Sequence, residues 1–85
     1  MEIRFTHSFE RDYRELPRAV QITVDKKLAL LLRSFRHPSL RMKKMEGYRN
    51  VWEIRITLGY RLTLSISDDV YIIRRAGPHD ILKNP

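Results

Sequence analysis

Two arginines, Arg55 and Arg61, flank the turn residue Gly59, and a glutamate, Glu53, stands two positions before the first of them. Guanidinium groups are planar, permanently charged forks that suit a phosphate better than lysine does, so the pair reads as a clamp for a phosphate. A carboxylate beside such a clamp can act as a general base or can neutralise an arginine. The plainer alternative is a pair of solvated charges on a sheet face, with Arg55 bridged to Glu53 or Glu46 in a surface ion pair worth about 0 to 1 kcal/mol. His79 is the third candidate, because an imidazole gives or takes a proton near neutrality. A lone histidine is more often structural. His7 and His37 sit near a helix start and a helix end, where capping or solvation accounts for them. Lys43 and Lys44 supply either longer-range positive field or solubility.

The strand around Arg55 decides whether these groups can meet. Trp52, Ile54, Ile56 and Leu58 alternate with Glu53, Arg55 and Thr57, the period of a half-buried strand. A two-residue loop at Leu58-Gly59 would put Ile56 opposite Arg61, mixing core and charge on one face. A three-residue loop at 58–60 avoids this, pairing Thr57 with Arg61, Arg55 with Thr63 and Glu53 with Ser65, and Ile56 with Leu62, Ile54 with Leu64 and Trp52 with Ile66. Glu53, Arg55, Arg61, Thr63 and Ser65 then share a face. A last strand at Val70–Ala76 brings either Arg74 or Arg75 onto that face beside Arg61.

The remaining elements must cover the apolar side. Residues 2–6 alternate as a short first strand, Ser8 is a helix cap, and Phe9, Tyr13 and Leu16 recur at helical spacing. Pro17 breaks this helix and opens a second one reaching Ser34, with Val20, Val24, Leu28, Leu31, Leu32 and Phe35 as its apolar stripe. His37-Pro38 ends it. A strand near 40–45, turns at Gly47–Asn50 and Ser67–Asp69, and a closing turn from Gly77-Pro78 complete the pass. The expected class is α+β, a small antiparallel sheet with two N-terminal helices packed on one face.

Composition limits what such a chain can be. Its 85 residues suit a single domain, spanning 1–85, without a separate regulatory module. There is no cysteine, and the three histidines are scattered, so neither disulfide nor zinc is expected to staple it. The N-terminal residues lack a signal-peptide core, and the longest apolar run, residues 28–32, is too short for a bilayer, so the cytoplasm is the expected location and no membrane partner is expected. A formal net charge of +7 points toward a polyanionic partner. The bias is concentrated: Arg33, Arg36, Arg41, Lys43, Lys44, Arg49, Arg55 and Arg61 are balanced only by Glu46 and Glu53 over that span. Phosphate-binding glycine loops, nucleophile elbows and histidine metal motifs are all missing from the sequence.

The run KKMEGYRNVWEIRITLGYRLTLSISDDVYIIRRAGPHDIL resembles the C-terminal half of the RelE/ParE toxin superfamily. There a lysine and glycine segment leads into an aromatic-rich strand ending R-I, then G-Y-R-L, a hydrophobic strand and a G-x-H-D-like turn. The preceding strand, helix, helix order extends the resemblance over essentially the whole chain. It implies the toxin of a type II toxin–antitoxin pair, with a cognate antitoxin as partner and no cofactor. RelE-like members cut mRNA on the ribosome without metal, and ParE-like members poison DNA gyrase instead. In the nuclease branch Arg61 matches the arginine that contacts the scissile phosphate, Arg55 the basic residue six positions earlier, and His79 the C-terminal general acid or base. Lys43, Lys44, Arg74 and Arg75 are the expected RNA contacts. The chain departs from RelE itself at Glu53, where that toxin has a lysine, and at Leu82 in place of tyrosine, which leaves the identity of the general base open, with Glu46 and Glu53 both able to serve and Glu53 better placed.

Overall fold

The computed structural model describes all of residues 1–85 and orders them as β1 (Glu2–Phe5), α1 (His7–Glu15), α2 (Arg18–Arg33), a 3₁₀ turn at Pro38–Leu40, β2 (Lys43–Lys44), β3 (Trp52–Arg55), β4 (Tyr60–Ser67), β5 (Val70–Pro78) and a closing 3₁₀ turn at His79–Lys83. Thr6, not Ser8, caps α1. Its hydroxyl oxygen accepts a hydrogen bond from the Phe9 amide at 3.1 Å and donates to the Arg74 carbonyl at 2.8 Å. Capping two residues earlier therefore also ties the helix start to β5, which Ser8, inside the first turn, does not do. Phe9 is thereby turned inward, buried and stacked on Phe5 with ring centroids 5.1 Å apart. Pro17 takes the cap position of α2 rather than its first turn, one residue from the expected start.

The strands lie in the order β1-β5-β4-β3-β2. Pairs β2/β3, β3/β4 and β4/β5 are antiparallel, whereas β1 runs parallel to β5, so the sheet is mixed. No tight turn joins β1 to its partner, and the hairpin geometry that fixes the other pairs does not constrain it. The two helices cover one face: Phe9, Leu16, Val20, Val24 and Leu31 pack with Ile54, Leu62, Leu64, Tyr71 and Ile73 in one hydrophobic cluster. Each such aliphatic side chain contributes roughly 1.5–3 kcal/mol when fully buried. No helix is long and apolar enough to cross a membrane.

The strand expected near 40–45 is reduced to Lys43–Lys44. Leu40 is drawn wholly into the core from the 3₁₀ turn, and Arg41 takes a left-handed backbone at φ 45°, which breaks the extended run. Asn50 is also left-handed, at φ 51°. Its side-chain amide compensates by exchanging two hydrogen bonds with the Ile66 backbone, at 2.7 and 3.0 Å, so a side chain completes the ladder where the main chain has turned away.

Candidate functional site

Strand register builds the site on the sheet face away from the helices. Arg55 is the direct cross-strand partner of Arg61, and Glu53 that of Thr63, so the expected polar set shares one face. The turn lies one residue earlier than expected. The Ile56 amide bonds the Tyr60 carbonyl at 3.0 Å, leaving 57–59 as the reversal rather than 58–60, and every pairing moves by two residues. A two-residue shift preserves both faces, so polarity alone could not choose between these registers.

Arg61 chooses. Its Nη1 donates to the carbonyls of Thr57, Leu58 and Tyr60 at 2.8, 3.1 and 3.0 Å, and its Nε lies 3.9 Å from Glu53 Oε1. The guanidinium is buried and organises the turn from beneath, while its Nη2 carries no hydrogen bond. Arg55 is the reverse case: partly exposed, it makes neither a hydrogen bond nor an ion pair with any protein group. The Arg55 bridge to Glu53 or Glu46 is thus not formed, since Glu53 faces Arg61 instead. Lys43 pairs in register with Glu53 and joins the polar face, but Lys44 pairs with Trp52 and belongs to the other side of the sheet.

His79 enters through the last strand. Strand β5 runs two residues past Ala76, so Gly77 is a strand residue opposite Arg61, not part of the closing turn. The chain then folds back over the sheet. A Cβ on Gly77 would lie 2.8 Å from Ile81 Cγ2, so glycine is what lets the closing turn approach. The His79 amide donates to the Gly59 carbonyl at 3.0 Å, which fastens an exposed histidine to the turn that holds Arg61.

Arg74 and Arg75 have other partners. A β-bulge between Thr63 and Leu64 and the facing strand places Arg75 opposite Thr63 and lets Arg74 reach the same side. Arg74 donates to Ser65 Oγ at 3.2 Å and to the Pro85 carbonyl at 3.1 Å, and Thr63 donates to that same carbonyl at 3.0 Å. Arg75 forks onto Asp12 at 3.0 and 3.1 Å and reaches the Asn84 carbonyl at 3.3 Å. Donating to the Asp12 carboxylate holds its guanidinium above the ordinary arginine range. Both side chains therefore brace the C-terminal segment and α1 instead of facing open solvent. Asp12, absent from the sequence candidates, also accepts from the Ala76 amide at 3.2 Å. A carboxylate between Phe9 and Leu16, on the inward stripe of α1, was the signal that could have marked it. No three metal-ligating side chains cluster anywhere in the fold.

No protein-family model and no curated protein sequence matches the chain. Solved structures do. The RelB–RelE antitoxin–toxin complex of Methanococcus jannaschii contains a chain similar over 94% of both chains, with TM-score 0.78 and 22% identity. The YoeB/ParE toxin from Agrobacterium tumefaciens aligns over 93% of this chain and 99% of its own, with TM-score 0.80 and 16% identity. The intact RelBE toxin–antitoxin complex of E. coli aligns over 89% and 93%, with TM-score 0.72 and 25% identity. The chain has the fold of the RelE/ParE toxin superfamily. Within it, the similar structures are toxins of toxin–antitoxin systems.

Proposed function

We propose that residues 1–85 act as one toxin domain of a type II toxin–antitoxin pair, a metal-independent endoribonuclease that cuts mRNA on the ribosome and so inhibits translation in the cytoplasm. The observation that carries this reading is the pairing of an unpartnered arginine, Arg55, with a fixed one, Arg61, on a face that also holds Glu53 and lies beside the turn to which His79 is tied. Attack of an RNA 2′-OH on its adjacent phosphate needs a base, cationic stabilisation of the pentavalent phosphorane and an acid for the leaving oxygen. Arg55 meets the phosphate directly, with the free Nη2 of Arg61 behind it. Glu53 and His79 divide the proton transfers. Lys43 extends the same face toward RNA backbone, while Arg74 and Arg75 act as braces. A cognate antitoxin is the expected regulator, in keeping with the RelB partners in the complexes of similar fold.

Primer extension on a reporter mRNA after induced expression tests the proposal. New cleavages are expected, disappearing with Arg55→Ala and with His79→Ala. Intact mRNA with altered plasmid supercoiling would overturn it in favour of a ParE-like gyrase poison, for which His79→Ala is expected to be silent.

A further inference from the structure

On the helix-bearing side of the sheet, away from Arg55, a cleft of about 380 Å³ opens where the end of α2 and the following 3₁₀ turn meet β3. Its walls are Phe35, Arg36, His37, Arg41, Met42 and Trp52. The sequence pattern assigned Phe35 to the core stripe of α2, but the helix ends at Arg33 and Phe35 stays 46% exposed. Arg36 lies over that ring with Cζ 5.2 Å from the centroid. Neither Arg36 nor Arg41 has a carboxylate partner, and the chain holds no acidic residue between Asp25 and Glu46. Lys44, cross-strand from Trp52, adds charge on the same side. Two guanidinium groups without carboxylate partners beside a half-exposed aromatic ring favour an anionic occupant that also carries a flat apolar face.

We propose that this cleft binds an unpaired nucleotide of single-stranded RNA. Phe35, Trp52 and the plane of Arg36 give the base a stacking surface, and Arg36 and Arg41 hold the flanking phosphate. The site is distinct from the face carrying Arg55 and Arg61 and does not depend on whether that face cuts RNA.

Trp52 is the single tryptophan, so its fluorescence reports the cleft directly. The probe is a short 2′-O-methyl oligoribonucleotide, which lacks the hydroxyl needed for self-cleavage, titrated into the full chain. Saturable quenching is expected, with the dissociation constant raised about tenfold by Phe35→Ala and by Arg36→Ala. Arg41→Asn, which retains tolerance of the left-handed backbone, is expected to weaken binding similarly. Phe35 is exposed enough that its replacement should leave the circular dichroism melt unchanged, which separates lost binding from lost fold. Unaltered affinity in all three variants, equal quenching by duplex DNA, or a response only to an acidic peptide would each overturn the proposal. Quenching by the oligonucleotide in a chain that leaves mRNA intact would refute the nuclease reading and leave this site standing.

Discussion

Arg55 and Arg61 face each other across two strands, yet they occupy opposite electrostatic situations. Arg61 is enclosed by three carbonyls and a carboxylate, so its charge is compensated before any ligand arrives. Arg55 keeps its donors for solvent or a ligand. Like charges directly opposite would otherwise repel, and the enclosure of Arg61 relieves that cost. Arg61→Ala is therefore expected to lower folding stability by roughly 2–4 kcal/mol, because three part-buried hydrogen bonds beneath the turn are lost and the mostly buried Glu53 is left without its cationic partner. Arg55→Ala should stay within about 0.5 kcal/mol. Urea denaturation of both variants checks this, and equal losses would contradict the division of roles. Arg61→Lys should recover only part of the loss, since one ammonium can reach the turn carbonyls that Nη1 serves but leaves the place of Nε beside Glu53 empty. The shared face was legible from alternation; the register within it was not, because arginine-to-carbonyl bonds leave no trace in a polarity pattern.

At the scale of elements, two polar clamps fix the helices. Tyr13 donates to Asp25 Oδ1 at 2.8 Å and its carbonyl accepts from Gln21 Nε2 at 2.7 Å, joining α1 to α2. The hydrogen bond to Asp25 raises the Tyr13 phenol above its ordinary value, and burial does the same for Tyr71. A raised phenol contributes stability that is fully present below the ordinary tyrosine range of about 10 and is lost as pH rises through the folded value. Ultraviolet titration should thus show late-ionising tyrosine, part of which disappears in Tyr13→Phe. An unchanged titration curve in that variant would count against the clamp. The second clamp is Asp12, and Asp12→Ala is expected to cost about 2 kcal/mol, measurable by thermal melting, through loss of the Arg75 fork and the Ala76 amide bond. At the other end of β5, Gly77→Ala should push the closing turn off the sheet, since Ile81 is buried and branched at Cβ. A loss of about 1–3 kcal/mol is expected, and under the proposed nuclease function mRNA cutting should weaken with it, as His79 would lose its tie to Gly59. Helix existence and order followed from periodicity, but the cap at Thr6 and the strand role of Gly77 depend on contacts with β5 that local spacing does not encode.

The whole molecule was readable as two helices on one face of a small sheet. What the pattern could not carry was the direction and place of β1, because no turn links it to β5 and its four residues hold too little information to specify a neighbour. The two faces of the sheet also divide differently than alternation suggests. Thr63 and Ser65 are as buried as core residues, since the C-terminal segment lies over them. Burial there is secured by hydrogen bonds rather than by apolar area, which makes the polar face a rigid floor for Arg55.

The parallel pairing of β1 with β5 also sets an order in time. As a strand, Glu2 to Phe5 pair only with Val70 to Ile73, so an emerging chain can form both helices but has no strand to receive its first one until the last has left the ribosome. A truncated chain ending at Ser67 is expected to be rapidly digested by protease, and resistance of that fragment would contradict it. The first strand to be made is in this way the last to find its place in the sheet.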